Sequence, residues 1–253
     1  MDKEYLDDLA RVVTKAGRLL LENGAEVYRV EDSMTHLCKS YGCSTVDSYA
    51  TPTLIIVSFT LNKELSHNVK RVSTKAINLD KVDKVNDLIR KASIEPIDLA
   101  ALDKKLDVIE NEKANPDLMT VLCAMLVGSG FALAFHGTLL EIIFSALIAA
   151  AARLVMVLLD KTLLHSFFKN LAGAFVITFL ALALGKTSSC DPALMISSAI
   201  MLLVPGIVIT NAVRDSINGD LNSSLIRFLE VVFIAVAIGL GSGLAYYLLG
   251  GLR

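Results

Sequence analysis

The sequence predicts a membrane-embedded, all-α bundle of five transmembrane helices, preceded by a small cytoplasmic α+β domain. Residues 1–115 hold 36 of the 50 Lys, Arg, Asp and Glu residues, whereas Leu118–Phe135 and Ala193–Val213 hold none. About 20 apolar residues, at 1.5 Å rise each, cross the hydrocarbon core of a bilayer. We therefore divide the chain into a polar domain, 1–115, and a five-span transmembrane domain, 116–253.

Composition narrows the function classes. Hydrophobic residues make up 54% of the chain, mean hydropathy is +0.58, and the net charge of −2 gives no basic field for nucleic acid. The four cysteines show no metal-binding spacing, so neither a metal nor a cofactor is expected. The charged N-terminus lacks the apolar core of a signal peptide, and the polar domain is therefore expected in the cytoplasm.

The polar domain begins with two amphipathic helices. Apolar residues recur at helical spacing from Leu6 to Leu20 and from Val30 to Tyr41. The pairs Asn23-Gly24 and Tyr41-Gly42 predict the two helix ends, because glycine adopts the left-handed conformation there at little cost.

Strands and two further helices follow in the polar domain. Residues 44–61 are rich in β-branched side chains and predict one or two strands interrupted near Pro52. A turn is expected at Asn62-Lys63 and a returning strand at His67–Leu79. Asp80 is the predicted N-cap of the third helix, and Pro96 is predicted to open the fourth.

Five apolar segments predict five spans, at 117–135, 139–159, 167–184, 192–213 and 226–249. An odd number of spans places the two termini on opposite faces of the membrane. Lysines and arginines concentrate in the loops that share a face with the polar domain, which favours a cytoplasmic N-terminus and an outside Arg253.

Two of these spans carry faces of small residues repeated every four positions. They are Ala124, Gly128 and Ala132 in the first span, and Ala235, Gly239 and Gly243 in the last. Such faces let helices approach closely in lipid, either within the bundle or against another subunit.

The fourth span contains the helix-breaking pair Pro205-Gly206. Proline removes a backbone hydrogen bond and clashes with the carbonyl four residues earlier, that of Met201. Broken helices at membrane depth form substrate sites in many secondary transporters, although an ordinary proline kink is the alternative. Asn211 and Asp215 follow one and two turns later on a similar face, so we include all four residues in a predicted substrate pathway.

Two charged residues lie inside predicted spans and join the predicted substrate pathway. Arg153 lies seven residues before Asp160, and Glu230 lies at comparable depth in the last span. A central arginine costs about 2.5–3.5 kcal/mol on insertion scales. Arg153 could snorkel to the surface, pair with Glu230, or serve as the counter-ion of an anionic substrate.

Catalytic patterns are missing from the sequence, so an enzyme is not expected. The chain has no nucleophile elbow and no His-Glu-x-x-His pattern. Gly185-Lys186-Thr187 is similar to the end of a P-loop, but position 180 is Leu where a glycine is required. No ATP site is therefore predicted.

Two stretches resemble the threonine/serine exporter family in its short, split-subunit form. The first runs from Leu20 to Glu31, continues through Gly42 to Thr51-Pro52, and includes Gly24, Arg29 and Glu31, the motif residues of the polar domain. The second is Val204-Pro205-Gly206 followed by Asn211–Asp220. The likeness extends over essentially the whole chain, with one departure at Ser223-Ser224, where the family pattern has Ser-Gly.

The resemblance implies a cytoplasmic domain and five spans that work with a second, smaller membrane subunit. It implies export of threonine and serine, or of succinate in some split cases, driven by the proton-motive force. From the resemblance we expect a subunit of a secondary exporter in the cell inner membrane, with a homo-oligomer as the other assembly. A membrane-anchored sensor or scaffold that transports nothing is the alternative function.

Overall fold

The computed structural model describes residues 3–73, 77–95, 97–113 and 115–250. Its contacts group the chain into two compact units. The first comprises Met1–Lys113 with Ile207–Leu229, and the second comprises Ala114–Gly206 with Glu230–Arg253. This grouping does not test the predicted division of the chain after residue 115, which stays a prediction.

Two helices and a sheet open the first unit. The helices are α1, Lys3–Glu22, and α2, Val27–Ser40. Gly24, at φ +100°, and Gly42, at φ +85°, lie just beyond their ends and confirm both predicted helix stops. The buried face of α1 includes Leu9, Val13 and Leu20.

The sheet is antiparallel in the order β1-β2-β3. Its strands are β1 (Thr45–Thr51), β2 (Leu54–Leu61) and β3 (Glu64–Arg71). Ile55, Val57 and Phe59 alternate on the buried face of β2 and join the core formed with α1 and α2.

Both predicted interruptions of the strands are confirmed. Pro52 lies between β1 and β2, and Asn62-Lys63 forms a turn with positive φ at both residues. The predicted bounds of the returning strand, His67–Leu79, are wrong. Leu61 pairs with Glu64 directly after the turn, so β3 starts earlier and ends at Arg71.

Helices α3, Leu79–Ile94, and α4, Leu99–Glu110, complete the polar part of the first unit. The predicted N-cap of α3 is wrong, because Asn78 Oδ1, not Asp80, accepts the N–H of Lys81 at 3.1 Å. The predicted start of α4 at Pro96 falls outside the described residues, and Asp98 caps α4.

Four helices of the described chain are long and apolar enough to cross a membrane. They are α5 (Asp117–Ala134), α6 (Leu139–Asp160), α7 (Ser166–Thr187) and α10 (Leu221–Gly250). They correspond to four of the five predicted spans.

The remaining predicted span, 192–213, is not one continuous helix. It consists of α8, Pro192–Ile200, and α9, Gly206–Ile217, separated by five residues that end at Pro205. The helices are about 14 and 18 Å long at 1.5 Å per residue, so neither alone crosses a core of about 30 Å. The predicted interruption is confirmed, whereas the count of five spanning helices is not.

The two small-residue faces differ in their surroundings. A Cβ built on Gly128 would lie 2.5 Å from the carbonyl oxygen of Ser145, so the first face permits close packing of α5 on α6. Ala235, Gly239 and Gly243 on α10 are exposed, and a Cβ on either glycine would meet nothing within 4 Å. It is instead Gly241 of α10 that approaches the backbone of Leu171 on α7.

Candidate functional site

Two glycine-terminated helix ends form the framework of a polar cluster in the first unit. At the end of α1, Ala25 N–H donates to the Leu20 carbonyl at 3.1 Å around Gly24. At the end of α9, Asp220 N–H donates to the Asp215 carbonyl at 2.9 Å around Gly219, which has φ +90°. Both ends have the hydrogen-bond pattern of a Schellman motif.

The end of α1 and the start of α2 contact α9 and the N-terminal part of α10 through hydrogen bonds and ion pairs. We call this group the corner cluster; it comprises Gly24, Ala25, Glu26, Val27, Asn211, Arg214, Asp215 and Arg227. Asn211 Nδ2 donates to the Gly24 carbonyl at 2.9 Å, and Arg227 Nη2 donates to the Ala25 carbonyl at 2.9 Å. Two carbonyls at the corner after α1 thereby gain partners from residues 187 and 202 positions later.

Asp215 is the central residue of the corner cluster. Its Oδ1 accepts the N–H of Val27 at 3.2 Å, and its Oδ2 accepts Arg227 Nε at 2.9 Å. Asp215 is fully buried and Arg227 is 8% exposed, so the ion pair is shielded from water. Val27 is the first residue of α2, whose preceding residue Glu26 makes no side-chain cap. Asp215 therefore supplies the negative group that a helix N-terminus favours.

Glu26 and Arg214 form a second ion pair within the cluster. Arg29, in the first turn of α2, lies 3.2 Å from the other carboxylate oxygen of Glu26 and donates to the Tyr28 hydroxyl at 3.1 Å. The described hydrogen bonds and ion pairs together engage both oxygens of Glu26 and both of Asp215. Such a saturated cluster is suited to fastening elements together.

Glu31 lies next to the corner cluster on α2 and reaches the sheet. Its Oε1 accepts the N–H of Ala50 at 2.7 Å. Burial raises the pKa of Glu31 and the charges of Asp220 and Asp215 add to that rise, while the Ala50 hydrogen bond opposes it. The folded chain thus holds a proton at Glu31 more readily than the unfolded chain. Its contribution to stability is present below the unfolded pKa and is lost as pH rises through the folded pKa.

Arg153 lies in the second unit, on α6. Its Nε donates to the Thr120 hydroxyl of α5 at 3.2 Å, and its Nη1 lies 3.8 Å from Asp160. Asp160 also accepts Lys169 Nζ at 2.9 Å. The predicted pairing of Arg153 with Glu230 stays a prediction, as does the role of both residues in a substrate pathway.

The structure groups some of the predicted site residues. Gly24, Asn211 and Asp215 meet in the corner cluster, with Arg29 and Glu31 beside it. Pro205 and Gly206 precede α9, and Arg153 lies with Thr120 in the second unit. Within the described chain, no three His, Cys, Asp or Glu side chains could hold a metal ion.

Sequence reasoning did not single out Glu26 and Arg227, which lie in the corner cluster, or Thr120, which contacts Arg153. Glu26 stands inside the first family-like stretch, which was a usable signal. Arg227 lies at the start of an apolar span and Thr120 is an ordinary residue of another, so no local pattern distinguishes either of them.

Comparison with known proteins identifies the family of the chain. Residues 11–249 match the family described as "Putative threonine/serine exporter" (ThrE). The chain is 24% identical over 251 residues to the "Probable succinate transporter subunit YjjP" of Klebsiella aerogenes, covering 98% of this chain and 97% of that protein. The protein of the same name from Escherichia coli K12 is 23% identical, covering 99% and 98%.

A longer relative is the "Threonine/serine exporter" of Corynebacterium glutamicum, at 25% identity over 258 residues. The match covers 98% of this chain but 52% of that protein, so this chain spans about half its length. No solved structure matches the chain significantly. The family and these relatives are transporters, which confirms the expectation that the chain is not an enzyme. With its four long apolar helices, this multi-pass membrane protein belongs to the threonine/serine exporter family.

Proposed function

We propose that the chain is a subunit of a secondary transporter that exports a small polar metabolite. The solute is a threonine- or serine-like amino acid, or a dicarboxylate such as succinate, and the proton-motive force drives export. The main support is the end-to-end similarity to two relatives named as succinate transporter subunits. The interruption between α8 and α9 agrees with it, since transporters build solute sites from broken helices.

We further propose that α8 and α9 together form a fifth crossing of the inner membrane. The polar domain then lies in the cytoplasm and Arg253 lies outside, as the lysine and arginine distribution favours. Single cysteines placed at Lys3 and Arg253, in a chain whose own cysteines are changed to serine, test this with an impermeant maleimide on intact cells. Only the cysteine at 253 should react, and equal reaction of both would contradict an odd number of crossings.

The transport unit is proposed to include a second, smaller multi-span subunit. Relatives of about twice this length support the idea, because the present chain aligns with only half of the exporter from Corynebacterium glutamicum. Alternating access generally needs two bundles or repeats that move about a central site. The exposed stripe of Ala235, Gly239 and Gly243 on α10 is the proposed contact surface, because small residues permit close approach in lipid. A homo-oligomer is the second assembly to consider.

Export measurements with and without the partner test the function. We expect cells that produce both subunits to release preloaded labelled threonine or succinate, and an uncoupler to stop the release. Gly239→Leu and Gly243→Leu should abolish co-purification in mild detergent together with export. Gly130→Leu is the matched control, since Gly130 is also an open, exposed glycine of an apolar helix.

The outcomes separate the alternatives. Normal co-purification and export in both α10 variants would remove the stripe as the contact surface. A single mass corresponding to several copies of this chain would favour the homo-oligomer. Release of neither solute from any combination of subunits would favour the sensor or scaffold.

A further inference from the structure

A cleft opens between α5 and α6 within the second unit. Its volume is 340 Å³, within the range of about 300–1,000 Å³ that is usual for sites of small ligands. Ala124, Val127, Met156 and Leu202 contribute apolar walls, while polar groups come from Asn115, Thr120, Cys123 and Arg153. A short hydrocarbon chain bearing polar ends suits such a lining.

Arg153 gives the cleft its charge. Of the described residues that line it, Arg153 alone is charged. Its Nη1 lies 3.8 Å from an oxygen of Asp160, a carboxylate that is shared with Lys169 at 2.9 Å. Its Nε donates to the neutral Thr120 hydroxyl at 3.2 Å. The guanidinium has five N–H donors in a planar fork, so these two partners leave donors for an incoming anion.

Maintaining a guanidinium among apolar helices is costly unless an anion or water compensates it. The Arg153 side chain is 26% exposed, which keeps it within reach of a solute. A carboxylate matches the guanidinium fork through two parallel hydrogen bonds. The Asn115 amide also lines the cleft and can donate to a second oxygen, whereas the Thr120 hydroxyl already donates to the Asp117 carbonyl at 2.8 Å.

We propose that this cleft binds an anionic carboxylate solute through Arg153, and that it prefers a short dicarboxylate to a zwitterionic amino acid. The preference follows from charge, since no carboxylate among the described lining residues could receive an ammonium group. Specificity of this kind is large where a polar group of the ligand would be left without a partner. The assignment rests on the proposed export function, whose solute class it specifies.

Cys123 provides a direct probe of the cleft. It is exposed and lines the cleft, whereas Cys38, Cys43 and Cys190 are buried. In membrane vesicles containing the full chain, the rate of Cys123 alkylation by N-ethylmaleimide is measured without solute, with succinate and with threonine; Cys123→Ser defines the background. We expect succinate to slow alkylation severalfold and threonine to have little effect.

Variants of Arg153 test whether this side chain is responsible for the protection of Cys123 by succinate. Loss of a charge-assisted hydrogen bond costs roughly tenfold or more in affinity, so Arg153→Gln should require at least about tenfold more succinate for the same protection. Arg153→Lys keeps the positive charge without the planar fork. The succinate concentration that it needs for the same protection should lie between those of the wild type and Arg153→Gln. Lys161→Gln is the control, because it removes one positive charge from the exposed end of the same helix outside the cleft. Folding of each variant is checked by its gel-filtration profile.

Lipid phosphate could compete for the same guanidinium. Vesicles of phosphatidylcholine alone are therefore compared with vesicles containing phosphatidylglycerol. Protection by phosphatidylglycerol without succinate, lost in Arg153→Gln, would identify a lipid site and overturn the proposal. Equal protection by threonine, undiminished succinate protection in Arg153→Gln, or no alkylation of Cys123 in solute-free vesicles would also overturn it.

Different experimental outcomes would contradict the proposed binding site and the proposed export function. Active export with unprotected Cys123 would leave the function in place and remove this site. Succinate protection without export under any partner combination would retain the site and contradict the function.

Discussion

Asp215→Ala is expected to lower the free energy of unfolding by about 3–5 kcal/mol, because it leaves a buried arginine without its counter-charge. Arg227 Nε would lose its carboxylate partner, and the Val27 N–H at the start of α2 would lose its acceptor. For a chain of this size the loss corresponds to a fall in melting temperature of roughly 6–20 °C. Gel-filtration thermostability of a fluorescent fusion in detergent measures it.

Two comparisons distinguish the buried pair from charge loss in general. Asp8→Ala removes an exposed partner of Arg11 in the same unit and should cost under about 1 kcal/mol. Removing both charges, as in Asp215→Leu with Arg227→Met, should recover part of the stability lost by Asp215→Ala, because no unpaired charge remains. A melting temperature of Asp215→Ala equal to that of Asp8→Ala would show that the corner cluster does not stabilise the fold.

Local features of the sequence were sufficient for most helices and strands. The end of α1 followed from Asn23-Gly24, since few residues other than glycine take φ +100° without strain. The turn at Asn62-Lys63 followed from residue type in the same way. The N-cap of α3 did not, because Asn78 and Asp80 are both good capping residues and only the fold decides which side chain reaches an N–H.

The sequence did not predict which residues of the corner cluster contact one another. The position of Asn211 and Asp215 after the helix break indicates a site, and Gly24 belongs to a stretch that resembles the family. That the amide of Asn211 reaches the Gly24 carbonyl, 187 residues away, depends on tertiary packing, which no local period encodes. The same holds for Arg153, whose spacing to Asp160 was readable but whose hydrogen bond to Thr120 on another helix was not.

Pro205→Ala and Gly206→Leu are expected to reduce export at least about tenfold, equivalent to about 1.4 kcal/mol in a barrier, while the amount of folded protein stays unchanged. Pro205 cannot donate a backbone hydrogen bond to the carbonyl four residues earlier, that of Met201. Alanine restores that donor. Leucine at 206 replaces a poor helix former by a good one, worth roughly 1 kcal/mol toward a continuous helix.

The surroundings of Gly206 make this a test of the interruption itself and not of packing. A Cβ built on Gly206 meets no atom within 4 Å, and Gly206 lacks the positive φ that a side chain would strain. Gly130→Leu again serves as the control, since it adds the same bulk to an open site on the uninterrupted helix α5. Export is measured at matched membrane levels of each variant. Export at the wild-type level in both Pro205→Ala and Gly206→Leu would mean that the interruption separates α8 from α9 but has no part in solute movement.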